Sequence, residues 1–308
     1  MRPRLAVSLV AALVTVSLAA GPATQTPPNT ARIMSMSTFA NLFVVVGDGT
    51  NSIAIGGDDG VAVVDTKVPG WGRTMAEKIE LGTEAPITTI INTSVHLAGS
   101  NPEITTAREI VAHERTRAHM AALEAFKGPG ARFLPNRTFQ DTLSLPFKTR
   151  GDANGTNRID LYYFGPARTD GDTVVVFPSF GMAFLGELFP SKSAPAIDTA
   201  RGGSAVALPE TLDKAVRALG AIKGVTILVP GRAAPPPTPY VMSWMTLKDL
   251  QEYADFNRAF LASVKASLAA GRSVDEAMAG LSLPERFKAY GMDRARENVL
   301  AIYAELKK

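Results

Sequence analysis

The chain has 308 residues, of which 46% are hydrophobic and 20% charged, with a formal net charge of +3. That balance supports a sizeable core and carries no basic stripe with interleaved aromatics, so nucleic acid is not an expected partner. Cysteine is absent, and His96, His113 and His119 are the only histidines. The missing cysteine excludes disulfides, Cys-ligated zinc, a cysteine nucleophile and iron–sulfur clusters.

In chain order, residues 1–23 read as a signal peptide. Arg2 and Arg4 precede an apolar run over 5–20, and cleavage could follow Ala19, Ala20 or Ala23. The run is short for a membrane span, so no span is expected after cleavage, and a periplasmic or secreted protein is expected. Residues 24–40 read as a flexible segment. Runs at 42–47 and 52–56 predict strands, and Asp58, Asp59 and Gly60 predict a turn closing a hairpin onto 61–65. Residues 71–81 have helical spacing, 87–92 and 108–112 read as strands, and 114–126 as a helix.

Strands are further predicted at 139–145, 159–164, 173–177, 183–188 and 225–229, with a polar surface turn over 149–157 and a helix over 208–219. Residues 233–239 are Pro-rich and irregular. Beyond them the spacing is helical to the end, and Ser273 with Glu276 forms a capping box. Residues 241–308 therefore read as a helical extension packed on a domain spanning 41–240, since each helix offers only one apolar face.

Six segments, in order, carry a sharper resemblance. They are Asn51 to Thr66 with its Asp65-Thr66 end, Ile87 to Thr93, Ile110 to Arg117, Leu161 to Asp172, Phe184 to Phe189, and Val229 to Arg232. Together they resemble the metallo-β-lactamase superfamily. That resemblance implies an α+β fold, a four-layer αββα sandwich, with zinc in active relatives held by four loops. The first loop of active relatives reads His-x-His-x-Asp-His, whose ligands bind two ions and activate a bridging water.

Here the first loop carries Ser94, His96 and Ala98 at those positions. His96 aligns either with the second histidine or, across a short deletion, with the last, and on both alignments the aspartate is missing. Arg168 and Arg232 stand at the histidine positions of the second and fourth loops, and Glu187 at the aspartate position of the third. Guanidinium has no lone pair to donate. Only His96 and Glu187 remain as weak metal candidates, fewer than a zinc site needs, so no cofactor is expected.

Two readings of the arginines follow. They pair with Glu187, Asp170 or Asp172 and fill the pocket, or Arg168 and Arg232 bind a small anion. Ser94 near His96 does not make a triad, and no Gly-x-Ser-x-Gly elbow is present. His113 and His119 read as surface or packing residues, Asp58 and Asp59 as turn residues, Asp65 as an orienter of the first loop, and Trp71 and Trp244 as packing residues. The expected function is a non-hydrolytic binding or scaffold protein, a pseudoenzyme. The alternative is a hydrolase of esters, lactams or thioesters with a single metal on His96, Glu187 and Asp170 or Asp172. A metal-free enzyme using the arginines has no specific signature.

Overall fold

A computed structural model describes residues 33–149, 157–232 and 245–307. The expected signal peptide, most of the polar turn, the Pro-rich stretch and Trp244 lie outside the described residues. The first sheet has seven strands in sequence order: β1 (Ile33–Phe39), β2 (Leu42–Gly47), β3 (Thr50–Gly57), β4 (Gly60–Val64), β5 (Ile87–Asn92), β6 (Glu109–His113) and β7 (Arg137–Phe139). The first four strands run antiparallel through tight turns. From β4 onward they are parallel, which requires crossovers, two of them containing α1 (Gly72–Thr83) and α2 (Glu114–Ala121).

The second sheet runs β12 (Ile227–Val229), β11 (Met182–Phe184), β10 (Thr173–Phe177), β9 (Arg158–Tyr163) and β8 (Thr142–Pro146). Its helices are α3 (Leu208–Ala221), α4 (Leu247–Ala269), α5 (Val274–Ala279) and α6 (Ala295–Leu306).

Alternation along the strands sorts side chains into three cores. In β4, Val61 and Val63 face α1 with Trp71 and Met75, while Ala62 and Val64 face the second sheet. In β10, Val175 and Phe177 meet them there, and Val174 and Val176 turn outward to α3 and α4. A strand buried on both faces reads as a continuous apolar run, as these do. Helix, sheet, sheet, helix is thus the layer order, and the expected sandwich is observed. Trp71 packs as expected, and Asp58 and Asp59 occupy the exposed β3–β4 turn.

The C-terminal helices finish the outer core. Thr246 and Asp249 form a capping box on α4, whose Leu250, Tyr253, Phe256, Phe260 and Val264 are buried. Ser273 and Glu276 form the expected box on α5. Among the described residues no helix is long and apolar enough to cross a membrane.

Four sequence expectations are corrected. Residues 33–39, expected within a flexible segment, form β1 and pair with β2. The single strand expected at 139–145 is two strands, because the chain crosses between sheets at Gln140 and Asp141. The strand expected to reach 188 stops at Phe184, where Gly186 takes φ +50° and turns the chain into a short 3-10 helix. The helix expected to reach 126 ends at Ala121.

Candidate functional site

The loops that follow β5, β9, β11 and β12 converge at one edge of the sandwich, because β9, β11 and β12 point the same way. Two main-chain bonds tie the sheets together there: Thr173 N to Thr93 O at 2.9 Å, and Asn51 N to Gly231 O at 2.9 Å. Asn51 Nδ2 adds a bond to Pro230 O at 2.8 Å.

The approach of the loops is close enough to require glycine. A Cβ on Gly231 would lie 2.1 Å from Gly186 O, and one on Gly186 would lie 2.5 Å from Thr93 Oγ1. Gly231→Ala is therefore expected to displace the fourth loop and lower stability by about 1–3 kcal/mol, measurable as a fall in Tm.

Asp65 holds the first loop, as its position predicts. Its carboxyl accepts Thr93 N at 2.8 Å and Thr93 Oγ1 at 2.5 Å. Burial pushes the carboxyl up to about 8 against those bonds. Lys67, two residues on, is also fully buried, and its Nζ donates to Val45 O, Thr50 O and Thr50 Oγ1 at 3.2, 3.0 and 3.3 Å. Asp65 and Lys67 both hold left-handed backbone, with φ of 61° and 71°. For non-glycine residues such strain persists only where the surroundings fix it.

At the centre, Glu187 is bracketed by arginines. Arg168 Nη1 donates to Oε2 at 2.5 Å and Arg232 Nη2 to Oε1 at 2.9 Å. The Glu187 side chain is 1% exposed, Arg168 17% and Arg232 39%. Burial works against the charged carboxylate, but the two guanidinium groups outweigh it and hold the pKa below the ordinary glutamate value. Of the pairings expected for the arginines, only that with Glu187 forms. Asp170 Oδ1 lies 2.6 Å from His119 Nε2, and Asp172 accepts Thr169 N at 2.7 Å and Thr169 Oγ1 at 2.9 Å.

His96 sits beside this bridge on a short 3-10 turn that Ser94 Oγ caps. Burial first, then the Arg168 charge, lowers its pKa to about 4, so the ring is neutral at pH 7. Its Nε2 is 3.1 Å from Asp198 Oδ2 but out of line for a hydrogen bond. Asp198 is engaged by Arg201 Nη1 at 2.6 Å. Ser94 is buried and bonds Asp172, so it meets His96 only through the main chain. Ala98 is buried in the core beneath α1. His113 is a buried packing residue: it accepts Arg115 N through Nδ1 and stacks on Tyr163 at 4.2 Å.

Asp198, Lys67 and Tyr253 were missed by sequence reasoning. Asp198 and Arg201 have the three-residue spacing of a capped turn, which was a usable signal. Nothing local marks the other two.

The residues present do not fit zinc. Both oxygens of Glu187 are occupied by cations, Arg168 and Arg232 have no lone pair, and one histidine remains. Among the described residues no three His, Asp or Glu side chains are grouped to hold an ion.

Neither a family model nor a curated protein sequence matches this chain. Solved structures do. The stereoselective inverting sec-alkylsulfatase from Pseudomonas sp. is similar with a TM-score of 0.64 and 14% identity, over 87% of this chain and 49% of its own. A double mutant of a sec-alkylsulfatase gives a TM-score of 0.66 and 13% identity, over 88% and 49%. The metallo-beta-lactamase from Pontibacter korlensis gives 0.51 and 18% identity, over 73% and 92%. The chain thus spans about half the length of the alkylsulfatases. These likenesses establish the metallo-β-lactamase fold.

Proposed function

We propose that this chain is an exported, non-hydrolytic binding protein that keeps the metallo-β-lactamase fold and its cleft without the zinc chemistry. One observation carries the reading. The position expected to bridge two cations holds a carboxylate whose two oxygens each accept a different arginine. The positive charges needed at the centre of the cleft are supplied by the chain itself. Guanidinium groups cannot deprotonate a water as a bound ion does, because their own pKa lies far above neutrality.

The bridge itself keeps an excess of positive charge. Arg168 and Arg232 share the single carboxylate of Glu187, while Arg201 pairs with Asp198. Arg232 is the most exposed of the bridge and offers unused N–H donors to solvent. A small anion is the ligand that this charge favours.

The test is elemental analysis of protein purified after zinc supplementation, together with a panel of lactam, ester, thioester, lactone and sulfate-ester substrates. Less than about 0.1 zinc per chain is expected, with no turnover above a protein-free blank. Stoichiometric zinc with metal-dependent turnover would overturn the reading in favour of a single-metal hydrolase on His96 and Glu187.

A further inference from the structure

Asp65, Thr66 and Lys67 follow β4 and are all buried, yet each bonds a different part of the chain. The Asp65 carboxyl accepts Thr93 N at 2.8 Å and Thr93 Oγ1 at 2.5 Å. Thr66 Oγ1 donates to Asn101 Oδ1 at 2.8 Å. Lys67 Nζ donates to Val45 O at 3.2 Å, Thr50 O at 3.0 Å and Thr50 Oγ1 at 3.3 Å. A lysine ammonium has as many N–H donors as these oxygens can take. In extended backbone, residues two apart point the same way. Left-handed backbone at both Asp65 and Lys67 lets their side chains part.

The Asp65 arm leads to Glu187. Thr93 O accepts Thr173 N at 2.9 Å, and Thr93 Oγ1 closes against Gly186, where a Cβ would lie 2.5 Å away. Glu187 is the next residue of that loop.

The Lys67 arm leads to Arg232, across the sheet. Thr50 meets Lys67 on one face of β3, and Asn51 meets the fourth loop on the other, as successive strand residues do. Asn51 N bonds Gly231 O at 2.9 Å and Asn51 Nδ2 bonds Pro230 O at 2.8 Å. Arg232 follows, with Nη2 on Glu187 Oε1 at 2.9 Å. Lys67, Thr50 and Asn51 are all buried, so no link in this path can turn to water.

We propose that Lys67 is a positioning residue for Arg232. It fixes the start of β3, which fixes the fourth loop and the arginine that this loop presents to the cleft. The Asp65 arm places Glu187 independently, so two neighbouring buried residues set the two sides of one ion pair. This rests on the reading of the cleft as a binding site, in which Arg232 is the most exposed cation of the bridge. A lysine that only filled the core would support both arms alike.

Amide exchange resolved by NMR, with a carbon-detected titration of the Glu187 carboxyl, tests the assignment on the full chain. In Lys67→Met, exchange at the Asn51 and Arg232 amides, which bond Gly231 O and Pro190 O, should rise about 30-fold beyond any change in the core amides of β10. The Thr173 amide should follow β10. Glu187 should hold its proton about tenfold more tightly, as it should in Arg232→Ala, because a neighbouring guanidinium has been withdrawn. Thr93→Val cuts the other arm and should speed exchange at Thr173 while Asn51 and Arg232 stay unchanged. Lys67→Gln keeps N–H donors on a shorter stem. It should lie between wild type and Lys67→Met, and it takes the place of that variant if methionine does not fold.

A uniform rise in exchange across both arms would overturn the proposal, as would a Glu187 titration that stays at its wild-type position. Loss of the fold in both Lys67 variants would overturn it too, by making Lys67 a support of the whole core. None of these readouts involves a ligand or a metal. They therefore fail independently of the zinc measurement, which decides the binding-protein reading beneath them.

Discussion

Glu187→Ala is expected to lower folding stability by about 3 kcal/mol, seen as a fall in the urea midpoint at constant m. The Glu187 carboxylate is 1% exposed and bonds arginines from two other loops. Removing it leaves their charges facing each other with nothing between. Breaking a buried pair by deleting one partner costs about 3–5 kcal/mol, because the remaining charge stays desolvated. The low end applies here, since Arg232 is 39% exposed and can turn to water, whereas Arg168 at 17% cannot do so freely.

The same asymmetry ranks the arginines. Arg232→Ala should cost within about 1 kcal/mol, as half-exposed ion pairs do, and Arg168→Ala distinctly more. Glu187→Gln keeps the shape and one acceptor and should fall between alanine and wild type. A loss below about 1 kcal/mol for Glu187→Ala would show that the bridge does not hold the loops together.

How far the site could be read in advance depends on whether its contacts are local. Asp65, Glu187, Arg168 and Arg232 were legible through the resemblance, because each stands in a segment that matches a loop or strand end of that superfamily. Which carboxylate the arginines meet was open among Glu187, Asp170 and Asp172, and is decided by contacts between loops far apart in the chain. Tyr253 was not legible: the apolar stripe read over this helix passes it by, and its burial arises where α4 folds back onto Phe189. Lys67 was equally hidden. A lysine after a strand reads as solvated, and its burial depends on the carbonyls of Val45 and Thr50, which lie on β2 and β3. The division between β7 and β8 was lost for a different reason. The alternation of apolar residues continues across Gln140 and Asp141 while the chain changes sheets, and periodicity cannot register a change of partner.

The buried Asp65 and Lys67 also set an expected pH profile. Burial pushes Asp65 up to about 8 from 3.8, so its contribution is fully present below pH 3.8 and is lost as pH rises through 8. Burial pushes Lys67 down to about 7 from 10.5, so its contribution is fully present above pH 10.5 and is lost as pH falls through 7. Each group changes stability by at most about 1.4 kcal/mol per pH unit within its window. Between pH 4 and about 6 two other buried groups oppose each other. Asp172, raised to about 6 by burial, favours the acid side, and His96, lowered to about 4, favours the alkaline side.

The sum is a stability minimum between pH 7 and 8, where Asp65 and Lys67 are both unfavourably placed, with recovery towards pH 5 and towards pH 10. Urea midpoints taken across that range measure it. Asp65→Asn should flatten the acid limb, because asparagine tolerates the left-handed backbone and does not titrate. Lys67→Met should flatten the alkaline limb. It also strips partners from Val45 O and Thr50 O, which lowers stability by a similar amount at every pH. The diagnostic quantity is therefore the slope of each limb and not the midpoint at any one pH. A profile that rises steadily through pH 7–8, or limbs that survive both substitutions, would show that these two groups do not titrate from within the folded core.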